Sequence, residues 1–351
     1  MSVFTNLEAI ASMSQRILIW GAGAIGGTVG AYLVRAGHDV TFVDVVREHV
    51  EAIRDPSRGL SITGPVDSFT VSAPALLPEE VDGAWDRIFL AVKAHHTRDA
   101  CEALAPYLSR DGYVLSLQNG LCEKAIADVV GQPRTVGAFV NFGADWIGPG
   151  EIHYGNRGAV VVGEVDGAST PRIGALHDAF RQFEPDAILT DDIWSYLWGK
   201  LAYGSLLIAQ AVGQLGIADC IARPELLPLW RELAGEILRV AQAEGVSPRG
   251  FNGFDPRAFG PASTEAQAQA SVDAMVAFNR PNAKTHSGVW RDLAIRKRRT
   301  EVDMQIAAVS AIGKTHGLAC PKVDALVTMI HEIEDGERDL SDDNLIALLN
   351  A

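Results

Sequence analysis

The pattern of hydrophobic and polar positions changes near residue 190 of this 351-residue chain. Before that point, short apolar runs alternate with segments of helical period, which is typical of a doubly wound sheet of parallel strands. The predicted strands lie at 17–20, 40–43, 87–92, 113–117, 135–140, 159–162 and 186–190. Strand signals then stop, and segments of helical period follow at 193–212, 224–243, 264–278, 300–316 and 321–334. The pattern predicts an α/β N-terminal domain over 1–190 and an all-helical C-terminal domain over 191–351.

A glycine-spaced turn joins the first predicted strand to a helical segment. Its residues are Gly21, Ala22, Gly23, Ala24, Ile25 and Gly26. In such a turn the first glycine makes the sharp bend, the second lets the backbone approach a pyrophosphate, and the third lets the helix pack on the strand. The helix N-terminus offers unpaired N–H groups and the positive end of the helix dipole to the phosphates. The turn is therefore predicted to bind a dinucleotide, and a glycine-rich turn of an unrelated α/β protein is the alternative.

The second predicted strand stops at an acidic residue, Asp44. A carboxylate at this place accepts hydrogen bonds from a free ribose 2′-hydroxyl and repels the 2′-phosphate of NADP. Asp44 therefore favours NAD as the cofactor. Arg47 keeps NADP open, because a guanidinium there meets a 2′-phosphate if Asp44 turns away.

Composition and charge narrow the classes of partner. Hydrophobic residues make up 48% of the chain and charged residues 21%, which is usual for a soluble globular protein. No apolar run approaches the roughly 18 residues that a membrane helix needs, and the residues before Gln15 lack the basic start and apolar stretch of a secretory signal. The formal net charge of −14 argues against nucleic acid as a partner. We therefore expect a cytoplasmic protein that acts on a small-molecule substrate.

Metal and redox motifs are not indicated. The four cysteines are scattered without a Cys-x-x-Cys pair, so neither a zinc site nor a redox dithiol is predicted. The adjacent His95 and His96 have no evident third ligand, and such a pair is usually a helix start or a surface feature. We therefore expect no metal.

Four polar residues are candidates for chemistry. Ligands bind beyond the carboxyl ends of the strands in an open parallel sheet, and Lys93 and Asn119 follow the strands at 87–92 and 113–117. From spacing alone, a surface lysine and a turn asparagine are equally good interpretations. Lys200 lies among aromatic and apolar residues, where lost hydration makes a lysine a better proton donor near neutral pH, although a snorkelling lysine is the more ordinary interpretation. Glu301 begins a predicted helix, where a glutamate is ordinary dipole chemistry.

Five short motifs, taken together, change this balance. They are GAGAIG at 21–26, VKA at 92–94, QNG at 118–120, WGKLA at 198–202 and TEVD at 300–303. In combination and in this order they resemble the ketopantoate reductase (2-dehydropantoate 2-reductase) family, over most of the chain. The resemblance implies an N-terminal Rossmann-type domain, a helical C-terminal domain and an active site in the cleft between them.

The resemblance also implies roles for the motif residues. Lys200 matches the catalytic lysine, which protonates the substrate carbonyl oxygen as hydride reaches the carbon and whose charge stabilises the developing alkoxide. Asn119 matches an asparagine that helps hold substrate and cofactor. Lys93 matches a lysine beside the nicotinamide, and Glu301 matches a glutamate that contacts the substrate hydroxyl and helps order the site.

The chain departs from the family pattern on the substrate side. Asparagines one and two helical turns after the lysine contact the substrate in the family, and Gly204 and Ile208 stand at those positions here. The family usually has a serine that binds the substrate carboxylate, and Gly288 occupies the matching position in this chain. Ser287 is the predicted substitute, and Arg291 is a second candidate for binding the carboxylate. The family's usual cofactor is NADPH, so the acid after the second strand is also a departure.

The sequence therefore predicts an NAD(P)-dependent oxidoreductase, with NAD favoured, that interconverts a small 2-oxo acid and its hydroxy acid. A site that loses polar contacts loses discrimination for the substrate that needed them, which favours a substrate other than ketopantoate. Two alternatives stay open: true 2-dehydropantoate 2-reductase activity, and a non-catalytic dinucleotide sensor whose substrate pocket has decayed. A homodimer is expected by analogy with helical second domains of the superfamily.

Overall fold

The computed structural model describes residues 16–351. The chain divides into two compact units, of which the first ends at Ile193 and the second begins at Trp194. The segment before Gln15, in which no secretory signal is predicted, lies outside the described residues.

In the described part of the first unit, strands and helices alternate along much of the chain. The strands are β1 (Ile17–Trp20), β2 (Val40–Val43), β3 (Leu60–Thr63), β4 (Phe69–Val71), β5 (Ala75–Leu76), β6 (Trp85–Leu90), β7 (Leu108–Ser116), β8 (Thr135–Val140), β9 (Gly143–Gly148), β10 (Glu151–Asn156), β11 (Val160–Glu164) and β12 (Ile188–Leu189). The α-helices are α1 (Ala24–Arg35), α2 (Arg47–Arg54), α3 (Thr97–Leu104), α4 (Cys122–Val130) and α5 (Pro171–Phe183).

The larger sheet has the strand order β12-β11-β8-β7-β6-β1-β2-β5, and all its neighbouring pairs are parallel except one. Alternate residues of β1 enter two different cores: Ile17 and Ile19 pack with α1, α2 and α5, and Leu18 packs with α3 and α4. Because both faces are covered by helices, the central strands are apolar at nearly every position. The predicted α/β fold with a parallel N-terminal sheet is confirmed.

The strand predicted at 159–162 runs in the opposite direction to its neighbour, which corrects the expectation of a wholly parallel sheet. β11 pairs antiparallel with β8, with Val160 opposite Val140 and Glu164 opposite Val136. The described chain between these strands forms only β9 and β10. A parallel return needs a long crossover, usually a helix, and without one β11 starts from the end at which β8 stops.

A smaller sheet that the sequence did not predict has the order β4-β3-β10-β9. Its strands are only three to six residues long, and alternation of apolar and polar residues over so few positions is a weak signal for a strand. It packs on α1, where a Cβ at Gly27 would run into the side chain of Ile152 on β10. α1 is consequently buried at every position from Gly26 to Leu33.

The second unit is mostly helical, as predicted. Its helices are α6 (Ile193–Gln210), α7 (Ile217–Ile221), α8 (Leu227–Ala243), α9 (Glu265–Asn279), α10 (Gly288–Ala294), α11 (Ile306–Thr315), α12 (Pro321–Glu334) and α13 (Asp343–Asn350). The single helix predicted over 300–316 is instead a 3₁₀ turn at Val302–Met304 followed by α11, because Gln305 has non-helical backbone angles. α7, α10 and α13 have only five to eight residues, too few for a clear helical period. In the described part of the chain, no helix combines the length and the apolar character needed to cross a bilayer.

Candidate functional site

The predicted cofactor-binding positions of the first unit meet at one edge of the larger sheet. β7, β6, β1 and β2 are consecutive neighbours, and each pair is parallel. Asn119 follows β7, Lys93 follows β6, the glycine turn at 21–26 follows β1, and Asp44 follows β2. Because the carboxyl ends of parallel neighbours lie at the same edge, the fold brings these positions together.

The three glycines of the turn have different surroundings. Gly21 has a φ of +102°, in the left-handed region, and a Cβ there would lie 2.8 Å from the carbonyl carbon of Ala91. A Cβ at Gly26 would run into the carbonyl oxygen of Gly21. A Cβ at Gly23 would have no neighbour within 4 Å. Packing inside the protein therefore requires glycine at the first and last positions, whereas the middle position is open.

The open position lies at the start of α1, where Gly23 is the N-cap and contributes no side-chain cap. The first N–H groups of a helix have no partner within the helix, and with the helix dipole they favour an anion. Because no protein atom would contact a side chain at Gly23, the space beside this glycine is available to a ligand. The residues of the turn therefore fit the pyrophosphate of a dinucleotide.

Asp44 is held against the glycine turn by two backbone groups. Its Oδ2 accepts a hydrogen bond from the N–H of Ala22 at 2.9 Å, and its Oδ1 accepts one from the N–H of Val46 at 3.0 Å. The carboxylate therefore cannot turn away without losing both bonds. Arg47, in contrast, is well exposed, and its guanidinium lies 3.7 Å from the carboxylate of Glu79.

A buried glutamine ties together the two segments that carry Lys93 and Asn119. Gln118 is 4% exposed, and its Nε2 donates to the carbonyl oxygen of Val92 and to the Oγ1 of Thr97, both at 2.9 Å. Val92 directly precedes Lys93, and Gln118 directly precedes Asn119. The side chains of Lys93 and Asn119, both partly exposed, thus start from backbone that is cross-linked by one amide.

In the second unit, Lys200 lies on α6 next to a close helix–loop contact. A Cβ at Gly199 would run into the carbonyl oxygen of Arg249, whose own N–H donates to the carbonyl oxygen of Ser195 at 2.9 Å. Trp198 is 1% exposed and anchors the same turn in the core. The backbone on which Lys200 stands is therefore fixed from two directions, while its own side chain is partly exposed.

One face of α6 stays open along its length. From Ser195 onward, the partly exposed positions of this helix are Lys200, Gly204 and Leu207. Their spacing of four and three residues puts them on one face. A Cβ at Gly204 would have no neighbour within 4 Å, and Ile208, in the next turn, is buried. This face therefore presents one amine followed by open space and apolar side chains.

The two predicted contacts for a substrate carboxylate belong to the start of α10. Ser287 is the N-cap, and its Oγ accepts a hydrogen bond from the N–H of Trp290 at 3.2 Å, which leaves the hydroxyl hydrogen for another acceptor. Arg291, which is partly exposed, follows one turn later. A Cβ at Gly288 would have no neighbour within 4 Å. Ser287 thus has a structural role in capping α10, and its contact with a substrate carboxylate stays a prediction.

Glu301 is 6% exposed and stands in a segment held by the end of α12. The carboxylate of Glu334 accepts hydrogen bonds from the N–H of Thr300 at 2.6 Å and from the guanidinium of Arg299 at 2.8 Å. Burial by itself would raise the pKa of Glu334, but these hydrogen bonds outweigh burial and hold that pKa below its usual range. The backbone directly before Glu301 is therefore fixed by an ionised, buried carboxylate.

Comparison with known families shows to which family the chain belongs. Residues 17–167 match the family model described as ketopantoate reductase PanE/ApbA, and residues 192–334 match its C-terminal counterpart. The chain belongs to the ketopantoate reductase family. It is accordingly an NAD(P)-dependent oxidoreductase of the 2-oxo acid and hydroxy acid class.

Similar proteins include enzymes with different substrates. A 2-dehydropantoate 2-reductase from Archaeoglobus fulgidus is 28% identical over 323 residues, which cover 92% of this chain and 99% of that one. The structure of D-mandelate dehydrogenase with NADH and anilino(oxo)acetate has a TM-score of 0.80 and 23% identity, again with 92% and 99% coverage. A PanE/ApbA family ketopantoate reductase from Ralstonia eutropha JMP134 has a TM-score of 0.76, 25% identity and the same coverage.

Two buried residues that contact the backbone of the predicted cofactor-binding segments have no predicted role of their own. Gln118 lies in the QNG motif without a predicted contact, and no sequence motif includes His49. The contacts of Gln118 reach 26 residues back along the chain, and those of His49 reach 101 residues forward. Nothing in the local pattern marks either residue, because each acts through backbone groups that only the folded sheet brings near.

The described residues of this family member contain no cluster of metal-ligating side chains. Among residues 16–351, no three His, Cys, Asp or Glu side chains lie together as a metal site would require. His95 and His96 are ring neighbours, with centroids 4.1 Å apart, and both are exposed. The absence of a metal stays a prediction.

Proposed function

We propose that this protein is an NAD-preferring oxidoreductase that interconverts a small 2-oxo acid other than ketopantoate with its 2-hydroxy acid. The observation that carries the proposal is the open face of α6, where the amine of Lys200 is followed by Gly204 and open space. This face keeps the residue that the reaction class needs. It lacks the amide side chains that the family uses to hold ketopantoate.

The reaction adds a hydride to the carbonyl carbon and a proton to the carbonyl oxygen. The hydride comes from the bound nicotinamide cofactor. Lys200 donates the proton from Nζ to the carbonyl oxygen, and its positive charge stabilises that oxygen as negative charge develops on it. In the direction of oxidation, the neutral amine of Lys200 accepts the hydroxyl proton.

Five other residues are proposed to hold the reactants. Lys93 and Asn119, which follow neighbouring strands, orient the nicotinamide end, and Asn119 also contacts the substrate. Glu301 contacts the substrate hydroxyl and orders the site. Ser287 and Arg291 meet the substrate carboxylate, the hydroxyl as a hydrogen-bond donor and the guanidinium as a charge partner.

The preference for NAD rests on Asp44. Two backbone N–H groups hold its carboxylate beside the turn, at 2.9 and 3.0 Å, and so oppose the rotation that a 2′-phosphate would require. A fixed carboxylate accepts hydrogen bonds from a 2′-hydroxyl and repels a phosphate. D-mandelate dehydrogenase, which shares the fold, has been solved with NADH and anilino(oxo)acetate, so the fold is compatible with both kinds of ligand.

The wider organisation follows the same proposal. Residues 1–190 bind the dinucleotide, and residues 191–351 carry the substrate contacts and the surface for pairing of two copies. A homodimer and a cytoplasmic location stay predictions. A small molecule is the partner that this arrangement needs.

Fluorescence titration with NADH and with NADPH, followed by a turnover screen of 2-oxo acids and hydroxy acids, tests the proposal. We expect NADH to bind about tenfold more tightly than NADPH, since the two differ by one repelled phosphate, and we expect turnover of at least one 2-oxo acid. Tighter binding of NADPH would indicate that Arg47 binds the 2′-phosphate and that Asp44 does not select the cofactor. Saturable binding without turnover across the screen would instead favour the dinucleotide sensor.

A further inference from the structure

A buried histidine on α2 bonds to the glycine turn and to the smaller sheet at the same time. His49 is 1% exposed. Its Nε2 lies 2.8 Å from the carbonyl oxygen of Ala22, in the glycine turn. Its Nδ1 lies 2.9 Å from the backbone nitrogen of Gly150, in the turn between β9 and β10.

These two contacts fix the state of the imidazole ring. The N–H of Gly150 can only donate, so Nδ1 must offer a lone pair and carries no proton. The carbonyl oxygen of Ala22 can only accept, so Nε2 carries the proton and donates it. The indole N–H of Trp146, on β9, also lies toward Nδ1, at 3.4 Å. His49 is therefore neutral, with its proton on Nε2.

The bond to Ala22 determines the direction of a second group in the turn. The peptide between Ala22 and Gly23 is planar and trans, so its C=O and N–H point in opposite directions. When the ring of His49 holds the C=O of Ala22, the N–H of Gly23 is turned to the side away from α2. Gly23 is the open glycine at the start of α1, where the residues fit a pyrophosphate.

The two preceding peptides are also fixed by hydrogen bonds. The N–H of Ala22 donates to the carboxylate of Asp44 at 2.9 Å, and the N–H of Gly21 donates to the carbonyl oxygen of Val43 at 2.8 Å. His49 adds a bond on the carbonyl side of Ala22. Its other nitrogen is held by Gly150, where a Cβ would lie 2.9 Å from Ala52 of α2. The ring is thus braced against the smaller sheet.

We propose that His49 is a positioning residue for the dinucleotide: it orients the peptide after Ala22 so that the N–H of Gly23 meets a cofactor phosphate. This inference rests on the proposed function, because it assumes that the glycine turn binds NAD. The smaller sheet then has a structural role in cofactor binding. It holds the imidazole ring of His49, and that ring in turn holds the glycine turn.

Two substitutions separate the two bonds of the ring. In His49→Gln the side-chain amide can place an N–H near the position of Nε2 and keep the bond to Ala22. In His49→Asn the amide oxygen can take the position of Nδ1 and keep the bond to Gly150, while the donor to Ala22 is lost. Each variant loses one of two buried hydrogen bonds, so each is the matched control of the other.

The readouts are the NADH dissociation constant by fluorescence and the melting temperature of the cofactor-free protein. We expect His49→Asn to weaken NADH binding about tenfold and His49→Gln to stay within about threefold of the unaltered protein, while both melting temperatures fall by similar amounts. Equal NADH affinity of the two variants would overturn the proposal, whether both stay unchanged or both weaken. If the unaltered protein binds no dinucleotide, the proposed function itself fails, and that result is obtained before any variant is measured.

A measurement on the unaltered protein decides the case if the variants do not fold. Nitrogen-15 NMR of the His49 ring reports which nitrogen carries the proton. We expect a neutral ring protonated at Nε2 and a shift of that resonance when NADH is added. Protonation at Nδ1, or a resonance that NADH leaves unchanged, would contradict the proposal.

Discussion

The edge of the larger sheet that carries the glycine turn and the open face of α6 in the second unit differ in how closely the protein's own atoms surround them. At the edge, backbone groups hold Asp44 from two sides, and packing requires glycine at Gly21 and Gly26. On α6, Lys200 is followed by Gly204, beside which a Cβ would meet nothing within 4 Å. The surrounding protein atoms constrain the glycine turn and Asp44 closely, whereas they leave open space beside Gly204.

Under the proposed function, this difference separates the binding of the cofactor from the binding of the substrate. We propose that the glycine turn and Asp44 bind NAD and that Lys200 donates the proton. Holding ketopantoate needs amides that Gly204 and Ile208 cannot supply, since neither has a polar side chain. On this proposal, the chain keeps the hydride-transfer reaction of the family and acts on a 2-oxo acid other than ketopantoate.

The largest expected effect tests the amine on the open face. Lys200→Ala should lower kcat by about 10²–10⁴-fold, because a positioned general acid contributes that much. The NADH dissociation constant should stay the same, since the glycine turn and Asp44 are untouched. Steady-state kinetics and fluorescence titration measure the two values. Lys314→Ala, at an exposed lysine of α11 in the same unit, is the control, and equal activity of the two variants would show that Lys200 donates no proton.

The next effect separates the two kinds of glycine in the turn. Gly23→Ala should leave the melting temperature unchanged but raise the NADH dissociation constant about tenfold, because the added methyl group occupies the approach of the phosphate. Gly26→Ala should lower the free energy of unfolding by about 1–3 kcal/mol, because the methyl group meets the carbonyl oxygen of Gly21. Thermal unfolding and fluorescence titration of both variants make the comparison. Loss of stability in Gly23→Ala would mean that this position is not open.

A smaller effect concerns the choice of cofactor. Asp44→Asn removes the charge but keeps an oxygen that accepts from a backbone N–H, so the ratio of NADPH to NADH dissociation constants should fall about tenfold. Asp39→Asn, at an exposed aspartate just before the other end of β2, is the control for charge alone. Equal changes of this ratio in both variants would show that Asp44 does not select the cofactor.

The smallest effect tests the segment that carries Glu301. Glu334→Gln should lower the free energy of unfolding by about 1–2 kcal/mol at neutral pH, because the ionised carboxylate bonds to the N–H of Thr300. The pKa of Glu334 is lowered in the folded state, so its contribution is present at neutral pH and is lost as the pH falls through that lowered pKa. The difference in melting temperature between the two proteins should therefore shrink in acid. Asp335→Asn, which removes only an exposed partner of Arg299, should show a smaller difference.

The sequence predicts those parts of the molecule that depend on neighbours along the chain. The glycine turn, Asp44 and the order of strands and helices follow from local patterns, and the motifs around Lys93, Asn119, Lys200 and Glu301 support the family. The direction of β11, the smaller sheet and the role of His49 do not, because they depend on contacts between distant segments. Gly150, for example, lies 101 residues from the ring that it fixes. The break before α11 was missed for a local reason, since its apolar period continues through Gln305.

The most direct test of the account compares kcat/KM for ketopantoate with kcat/KM for other small 2-oxo acids, using NADH, in the unaltered protein and in Gly204→Asn. We expect the unaltered protein to prefer another 2-oxo acid, and the new amide on the open face of α6 to shift the ratio toward ketopantoate. A highest kcat/KM for ketopantoate in the unaltered protein would contradict this expectation, because the open face would then hold that substrate without the missing side chains.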